Sequence, residues 1–392
     1  MISGRNVLDR QLLRGGDKMD YPLLWVTLIL LAFGLMMVYS ATVSGKEMLV
    51  IKEQGKIVAS LPYYYLQRQM IFVGAIGVLC MAAFGVRMSL WKQLTPYLVG
   101  ISVAMLVAVL FLGVQAGGAR RWLSLGIVNL QPAEMFKVAV IMYLASFLTR
   151  RVDILLHFKK VWYVAWLPAL GIVLIYLSGD LGSVVIIAGL TVTLLFLGGL
   201  RLKWFISAIA FGAVAVTAAI ITTPYRLRRV LAFRDPLADP YGDGFQLSHA
   251  LSALANGGWL GKGLGNSLER FYLPEIHTDF ILALIAEELG IVSVLLMIGV
   301  FAWMVWRAFS IGKQARDLEL YFSAYVAKGV GIWLGMQSFF HIGVNIGLLP
   351  TKGLTLPFIS YGGSSLLVTM AAMTLLLRID YENRRKMRGF RI

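Results

Sequence analysis

The residues best suited to chemistry lie in a polar stretch that runs from Thr223 to Gly290. Its first part concentrates positive charge in Tyr225-Arg226-Leu227-Arg228-Arg229. Its last part, Pro274-Glu275-Ile276-His277-Thr278-Asp279-Phe280, places two acids and a histidine just before an apolar run. A carboxylate can act as a general base, and arginines bind anionic oxygens through charge-assisted hydrogen bonds. This pattern predicts a site for a polyanionic substrate.

Asp279 has two interpretations. An aspartate directly before an apolar helix is a preferred N-cap, which contributes about 1 kcal/mol. The two roles conflict, because a carboxylate that accepts backbone N–H bonds has a lowered pKa and is a poorer base. If Thr278 is the cap instead, Asp279 is free to accept a proton. Asp180, between two apolar runs, is either a turn residue or a second acid.

Composition excludes a soluble domain. Of the 392 residues, 59% are hydrophobic and 14% are charged, and the mean hydropathy is +0.77. These values are typical of a polytopic membrane protein. The formal net charge of +16 does not indicate nucleic-acid binding, because the basic residues are scattered through short loops. The single cysteine, Cys80, excludes a disulfide or a cysteine metal site within one chain.

The predicted fold class is an all-α polytopic membrane protein with about ten transmembrane helices, because apolar runs of about 20 residues recur. The predicted spans are 22–42, 69–86, 94–114, 133–149, 161–178, 183–200, 203–223, 280–306, 321–345 and 363–378. The membrane domain, 22–378, includes a large extracytoplasmic loop, 224–279, between the seventh and eighth helices. Residues 1–21 are predicted as a cytoplasmic N-terminal tail, and residues 379–392 as a basic cytoplasmic C-terminal tail.

The topology places the unusual polar segments on one side of the membrane. An even number of spans puts both termini on one side, and the excess of Lys and Arg in the loops of that side predicts that it is cytoplasmic. The outer side then receives 115–132, 178–180, 224–279 and 348–365. The last of these interrupts an apolar run with prolines and glycines. We therefore expect non-helical backbone there, enclosed by protein or by water in an outward-facing cavity.

The outer arginines and one lysine are candidate anion ligands. Arg226, Arg228 and Arg229 could instead snorkel to lipid headgroups. Three arginines on the outer side oppose the positive-inside trend, however, which favours anion binding. Lys352 lies in the proline- and glycine-rich segment, where a purely structural role for a lysine is harder to assign.

Several other ionisable residues lie inside apolar runs, where charge is costly. Glu134 and Lys137 are three residues apart, close enough to pair on one helix face. Glu287 and Glu288 lie on the eighth span, and Lys328 lies on the ninth. Interhelical ion pairs and functional roles both remain open for this set. For Lys137, nearest the outer face, substrate binding is the favoured role.

These motifs resemble the SEDS family (shape, elongation, division and sporulation) of bacterial peptidoglycan glycosyltransferases over nearly the whole membrane region. The resemblance rests on Gly118-Ala119-Arg120-Arg121-Trp122-Leu123 with Gln131-Pro132-Ala133-Glu134-Met135-Phe136-Lys137, on Gly179-Asp180-Leu181-Gly182, on Tyr225 through Arg229 with Asp235-Pro236, on Tyr272 through Asp279, and on Pro350 through Ser365.

The wording of two motifs is similar to the cell-division branch of the family more than to the rod-elongation branch. They are Pro350-Thr351-Lys352-Gly353-Leu354-Thr355-Leu356-Pro357 and Gly263-Leu264-Gly265-Asn266-Ser267. Two positions depart from the commonest family wording. Ser178-Gly179 precedes Asp180 where Glu-Pro is frequent, and Phe245 stands where Tyr is frequent. Neither departure touches Asp279.

The resemblance implies a donor and an acceptor that are both lipid-linked glycans, with Asp279 of the His-Thr-Asp motif as the general base. It implies that substrate is bound by Arg120, Lys137, Arg226, Arg229 and Lys352. His277 and Glu275 would position substrate or Asp279, although a loop histidine is commonly a plain surface residue. No protein metal site is expected. A divalent cation, Mg²⁺ or Mn²⁺, is an alternative to Arg and Lys for offsetting the charge of a departing pyrophosphate.

The implied partners are the lipid-linked peptidoglycan precursor, a class B penicillin-binding protein transpeptidase and divisome membrane proteins. The implied location is the cytoplasmic (inner) membrane at the division septum. A transporter or flippase for the lipid-linked precursor, a scaffold for division proteins, and a rod-elongation polymerase of the same family are the alternatives. A transporter should present functional polar groups at both faces of the membrane, whereas the strong motifs here lie on one face.

Overall fold

The computed structural model describes residues 19–42, 51–53, 56–58, 64–116, 119–124, 126, 129–150, 158–236, 238–239 and 242–390. The predicted N-terminal tail up to residue 18 and the Gly117-Gly118 turn lie outside the described residues.

Within these residues the chain forms twelve α-helices and a short 3₁₀ turn at Glu269–Phe271. The helices are α1 Tyr21–Thr42, α2 Tyr64–Gly85, α3 Met88–Leu112, α4 Pro132–Arg150, α5 Phe158–Leu177, α6 Leu181–Leu197, α7 Leu202–Ile221, α8 Pro224–Arg234, α9 Phe245–Gly257, α10 Ile281–Asp317, α11 Tyr321–Asn345 and α12 Gly363–Met387.

Each of the ten predicted spans coincides with one helix, α1 to α7 and α10 to α12. Among the described residues, eight helices have both the length and the apolarity needed to cross a membrane. The other two are α6 and α11. Helix α6 is apolar but has 17 residues, about 26 Å against a hydrocarbon core of about 30 Å. The protein is therefore a multi-pass helical membrane protein, and the count of ten spans stays a prediction.

Two helices continue well beyond their predicted C-terminal ends. Helix α10 was predicted to end at residue 306 but continues to Asp317, and α12 was predicted to end at residue 378 but continues to Met387. Part of the predicted basic C-terminal tail is therefore helical. Within α10, Gly290 has non-helical dihedral angles of φ 78° and ψ 175°, so the helix is broken there.

The polar stretch between α7 and α10 is more ordered than a loop. It contains α8, the arginine-rich helix that starts with Pro224 at its first turn, and α9. Proline is favoured at a helix start because its missing N–H would lack a helical partner anyway. The description of 224–279 as a loop was therefore incomplete.

Short strands add to the predicted all-α architecture. The strands β1 Ile51–Glu53 and β2 Lys56–Val58 pair antiparallel, and β3 Val114–Ala116, β4 Ala119–Ser124 and β5 Asn129–Leu130 form a three-stranded sheet in that order. The second sheet falls within the segment predicted as the 115–132 loop. Because side chains alternate faces along a strand, neighbouring residues of β4 point in opposite directions.

Charged side chains from several helices meet at one end of the bundle, which we call the terminal end. Arg307 of α10 contacts Asp20, which precedes α1, at 2.5 Å and Asp380 of α12 at 3.9 Å. Arg384 contacts the same Asp380 at 2.6 Å. The opposite end, where α10 and α12 begin, is called the site end. Of the eight helices that meet both criteria, α4, α10 and α12 are the most buried in protein, whereas all side chains of α7 are at least partly exposed.

The buried acids predicted inside the spans have local partners. Glu134 pairs with Lys137 within α4 at 2.7 Å. Glu287 contacts Lys262 at 3.3 Å, and the carboxylate of Glu288 accepts a hydrogen bond from Ser40 of α1 at 2.6 Å. These contacts support a structural role for the three glutamates. Of the three contacts, only the one between Glu288 and Ser40 joins two helices.

Candidate active site

Asp279 lies at the site end, one residue before the N-cap of α10. A turn at Glu275, which has a positive φ of 57°, brings the Asp279 N–H to the Glu275 carbonyl at 2.9 Å. The N-cap of α10 is Phe280, and its side chain cannot accept a hydrogen bond. The Thr278 hydroxyl bonds to Glu275 instead. Neither Asp279 nor Thr278 therefore caps this helix, which removes the conflict between capping and catalysis.

The cap is supplied from another helix by Asn345, the last residue of α11. Its side-chain oxygen accepts from the N–H of Ala283 at 3.2 Å, and its amide donates to the main-chain carbonyl of Asp279 at 3.0 Å. Asn345 is fully buried. The Asn345 side chain thus holds both the first turn of α10 and the backbone of Asp279, so the Asp279 carboxylate stays available. In the part of the chain that the structure describes, no hydrogen bond or ion pair engages that carboxylate.

The segment 346–362 packs directly against Asp279. Its backbone is non-helical, as predicted for 348–365, except that 363–365 already belong to α12; nearly all of its residues are buried or half-buried. The Ser360 hydroxyl donates to the Thr278 carbonyl at 2.6 Å, and the Tyr361 N–H donates to the His277 carbonyl at 2.9 Å. A Cβ atom placed on Gly353 would lie 2.8 Å from the nearer oxygen of Asp279. A residue with a Cβ atom at position 353 would therefore require the Asp279 carboxylate to shift.

The surroundings of Asp279 favour its protonated form. Burial raises the pKa of the Asp279 carboxyl to about 7, and the negative charges of Glu275 and Asp180 contribute to the increase. The guanidinium groups of Arg121 and Arg229 oppose it. A carboxyl group with a pKa near neutrality can both take up and release a proton at physiological pH, which is the requirement for a general base.

Lys352 belongs to the same electrostatic cluster. Burial and the positive charges of Arg229, Arg226 and Arg121 lower the pKa of its ammonium group to about 8. The negative charge of Asp180 acts in the opposite direction. Three arginines thus lie close enough to repel the charge of Lys352, and two of them, Arg121 and Arg229, also act on Asp279. Such an arrangement is unfavourable without an anion and is stabilised when phosphate oxygens enter it.

The two neighbouring arginines of β4 face different surroundings. Arg121 donates to the Gly179 carbonyl at 2.9 Å and acts electrostatically on both Asp279 and Lys352. Arg120, the predicted ligand, is exposed, donates to the Leu110 carbonyl at 3.2 Å, and lines a separate pocket of about 330 Å³. Arg120 was named as a ligand from the family resemblance, and the segment was interpreted as a loop. The alternation of a strand would have indicated that only one of the pair can face the cluster.

The predicted ligands of α8 also contribute to the cluster. Arg226 lies over the ring of Tyr176 at 5.1 Å and donates to the Ala219 carbonyl, and Arg229 lies over the ring of Tyr225 at 4.7 Å. These cation–π contacts hold the two guanidinium groups in place. Arg228 points elsewhere, towards Asp243 at 3.9 Å.

Asp180 acts as a helix cap. Its carboxylate accepts from the N–H of Ser183 at 3.2 Å at the start of α6 and from the Ser183 hydroxyl at 2.7 Å. The side-chain amide of Gln131 donates to it at 3.2 Å. Asp180 therefore contributes negative charge to the cluster, while its oxygen atoms are occupied by structural hydrogen bonds.

His277 and Glu275 flank Asp279 in different settings. The His277 ring lies 4.7 Å from that of Tyr65 and 5.5 Å from that of Tyr361. Burial lowers the pKa of His277, although the negative charge of Glu275 acts in the opposite direction. His277 is consequently neutral at physiological pH and positions the chain through its aromatic contacts. Glu275 is exposed and acts on Asp279 through its charge.

Lys137 lies in the interior of the bundle. It is fully buried, pairs with Glu134, donates to Gln337 of α11 at 3.0 Å and lies 5.7 Å from the Trp333 ring centre. Gln337 in turn donates to the Thr355 carbonyl at 3.1 Å. The position of Lys137 therefore supports a role in holding the 346–362 segment more than a direct contact with substrate.

The described residues contain no group of three or more His, Cys, Asp or Glu side chains placed to hold a metal ion. Mg²⁺ is often held by one or two carboxylates together with substrate phosphates. Asp279 and Glu275 could supply the carboxylates in such an arrangement, in which the substrate phosphates supply the remaining oxygen ligands.

The fold and this cluster define a polytopic helical membrane protein with an acid and several cations gathered at one end. The chain belongs to the cell cycle protein family that comprises FtsW, RodA and SpoVE, which matches residues 21–385. Relatives named probable peptidoglycan glycosyltransferase FtsW include that of Neisseria gonorrhoeae, which is 47% identical over 98% of this chain and 90% of its own length. The one from Nitrosomonas europaea is 40% identical over 95% of each chain.

Solved structures agree with this family. A chain of the complex described as "Structural coordination of polymerization and crosslinking by a peptidoglycan synthase complex" is 27% identical, has a TM-score of 0.75, and aligns over 93% of this chain and 98% of its own. The rod shape determining protein RodA of Thermus thermophilus is 24% identical with a TM-score of 0.67, over 93% of this chain and 97% of its own, and shows the shared fold.

Proposed function

We propose that this protein is a peptidoglycan glycosyltransferase that polymerises lipid II into glycan strands at the outer face of the cytoplasmic membrane during septal wall synthesis. Its family and its relatives named FtsW support the class of reaction. The observation that carries the assignment is that Asp279 does not cap α10. Its carboxyl has a pKa of about 7 and is acted on by Arg121 and Arg229, which also act on Lys352.

The reaction is a single displacement at the anomeric carbon of the growing chain. The 4-hydroxyl of the incoming disaccharide forms the new C–O bond and gives its proton to the Asp279 carboxylate. The bond between the anomeric carbon and the phosphate oxygen breaks, and the lipid pyrophosphate leaves with the electron pair. Lys352, Arg226, Arg229 and Arg121 stabilise the charge that develops on the pyrophosphate.

The orientation follows from this chemistry and from the distribution of loop charges. The site end faces the outside, where the lipid-linked glycan is polymerised, and both termini are cytoplasmic. The proposed partners are a class B penicillin-binding protein transpeptidase, which crosslinks the strands, and divisome membrane proteins. A divalent cation is proposed only as a ligand of the substrate pyrophosphate, and its contribution is tested by chelation.

The division branch is favoured over the rod-elongation polymerase. The relatives at 40–47% identity to this chain are named FtsW. A flippase is disfavoured by the position of the charges. A flippase would need polar groups that bind substrate at both ends of the bundle. At the terminal end, however, Arg307, Asp380 and Arg384 form ion pairs with other protein groups.

The test follows lipid II polymerisation by the protein purified with its cognate transpeptidase. Asp279→Asn keeps the shape of the side chain but removes the base, so we expect activity to fall by about 10²- to 10⁴-fold. Asp243→Asn, at an exposed acid outside the cluster, is the matched control and should retain activity. Normal polymerisation by a folded Asp279→Asn protein would refute the role of Asp279. An unmodified complex that makes no glycan would refute the polymerase function.

A further inference from the structure

Helix α10 is interrupted inside the membrane domain at Gly290. In an unbroken helix, the N–H groups of Ile291 and Val292 would donate to the carbonyls of Glu287 and Glu288. The break deprives these four groups of their helical partners. Unpaired backbone groups are strongly unfavourable at membrane depth, so other parts of the protein must pair with them.

The segment Gly258–Gly263, which directly follows α9 and is called the insert here, provides all four partners. The hydrogen bonds are from Ile291 N to Gly258 O at 2.9 Å, from Val292 N to Trp259 O at 3.3 Å, from Lys262 N to Glu287 O at 2.9 Å and from Gly263 N to Glu288 O at 2.9 Å. The insert therefore replaces the missing turn of α10, and its own irregular backbone is paired in the same way.

Glycines make this contact possible. A Cβ atom on Gly257 would lie 1.9 Å from the Ala286 carbonyl oxygen, one on Gly261 2.2 Å from that of Glu288, and one on Gly290 2.2 Å from that of Trp259. The chain after the insert is also fixed, because the Glu287 carboxylate accepts from the Ser267 hydroxyl and from the N–H groups of Leu268 and Glu269. The insert is therefore a firmly held part of the bundle.

The position of the insert along α10 places it at a membrane boundary. The apolar run from Leu289 to Trp306 is about 27 Å long, close to the thickness of the hydrocarbon core of about 30 Å. It ends at Arg307 of the terminal end, so its other limit coincides with the insert. The outward-facing residues of α10 begin there with Val292, 49% exposed, and continue with Leu295 and Leu296.

The exposed side chains of the insert continue this outward-facing apolar surface. Trp259 is 72% exposed and Leu260 is 81% exposed, and Trp259 is bonded through its backbone to Val292. Tryptophan is enriched at membrane interfaces, and Trp306, 62% exposed, occupies the other boundary. We infer that the insert is a lipid-binding element at the site-end boundary of the bilayer, with Trp259 and Leu260 in contact with lipid.

This element has a consequence for the site. The insert joins α9 to the chain that leads through Glu269 to Asp279, and it is bonded into the broken helix that starts two residues after Asp279. Contact with lipid at Trp259 and Leu260 therefore sets the height of the Asp279 turn relative to the membrane surface.

The test measures depth with a nitroxide spin label on the full-length protein in phospholipid vesicles. In a Cys80→Ser background, the label is attached at Leu260→Cys, and its accessibility to oxygen, which enters lipid, is compared with that to a water-soluble nickel chelate. Leu296→Cys, 70% exposed on α10, is the lipid-facing reference, and Asp243→Cys is the aqueous reference.

We expect the label at residue 260 to be accessible to oxygen and poorly accessible to the nickel chelate. Its ratio of oxygen to nickel accessibility should be nearer to that at residue 296 than to that at residue 243. Nickel access equal to that at residue 243 would place the insert in water and overturn the inference. Shielding from both reagents would show that protein covers it and would overturn the inference as well. Trp259→Cys provides a second labelled site if the first variant does not fold. The result is independent of enzymatic activity, so it is distinguishable from a failure of the proposed function.

Discussion

The protonation states of two residues should set the pH dependence of activity. Asp279 acts as a base only when ionised, so activity should fall as the pH drops through about 7, the pKa of its carboxyl. Lys352 binds pyrophosphate only when charged, so activity should fall again as the pH rises through about 8. We expect a bell-shaped profile of kcat/KM, which reports the free enzyme. A profile that falls neither below about pH 7 nor above about pH 8 would contradict both assignments.

The acidic limb of that profile should move when Glu275 is neutralised. The negative charge of Glu275 raises the pKa of Asp279, so Glu275→Gln should lower that pKa and shift the limb to lower pH. Glu319→Gln is the matched control, because Glu319 is also an exposed glutamate with a positive φ but lies at the far end of α10. An unchanged limb in Glu275→Gln would show that the two carboxylates are not coupled.

Asn345 should be a positioning residue for Asp279. Asn345→Ala removes the donor to the Asp279 carbonyl and the acceptor for Ala283, which should lower stability by about 1–3 kcal/mol. Misplacement of the base should also lower kcat by about 10- to 100-fold. Asn383→Ala is the control, because Asn383 is equally buried and donates to the Ile311 carbonyl at 3.1 Å at the terminal end. It should lose stability while keeping kcat, and equal kcat values in the two variants would refute the role.

Sequence reasoning identified the acid of this site but only some of its neighbours. Asp279, Lys352, Arg226 and Arg229 were noticed because charges in an apolar chain are conspicuous, and the family resemblance implied their roles. The structure brings them together. Asn345 was missed because an uncharged amide 66 residues further along the chain carries no local signal. The capping question for Asp279 could be resolved only by the tertiary contact.

At the scale of elements, the broken helix α10 should depend on the glycines at its contact with the insert. Gly261→Ala places a Cβ atom 2.2 Å from the Glu288 carbonyl oxygen at a φ of 79°. Gly265→Ala has a similar φ of 77° but meets no heavy atom within 4 Å in the described chain. Both should lose about 1–2 kcal/mol from backbone strain, and Gly261→Ala should lose about 1–3 kcal/mol more from overpacking. Thermal unfolding of both variants measures the difference, and equal losses would show that the insert can move away.

The sequence predicted helices better than their interruptions. The spans were found because about 20 apolar residues in succession match the length that a helix needs to cross a bilayer. Helices α8 and α9 were missed because they lie in a polar stretch, where hydropathy carries little information about helix formation. The break at Gly290 was missed because one glycine in an apolar run is compatible with a continuous helix. Its cause is the insert, which lies about 30 residues earlier in the chain.

At the scale of the whole molecule, the two ends of the bundle have different charge arrangements. At the site end, the positive charges of Arg121, Arg226 and Arg229 act on Lys352, and Asp180 compensates only part of them. At the terminal end, Asp20, Arg307, Asp380 and Arg384 neutralise one another through direct contacts. The first arrangement suits substrate binding, and the second holds the helices together. Stability and catalysis should therefore be separable by mutation.

Arg307→Leu tests this separation. It leaves the buried carboxylates of Asp20 and Asp380 with less compensation, so the free energy of unfolding should fall by about 3–5 kcal/mol. Because Arg307 is remote from Asp279 along α10, the folded variant should keep the pH profile of the unmodified protein. Arg228→Leu, which removes an exposed contact of 3.9 Å, is the control and should lose about 0–1 kcal/mol. A shifted pH profile in Arg307→Leu would show that the terminal end is coupled to the site and that the two functions are not separable.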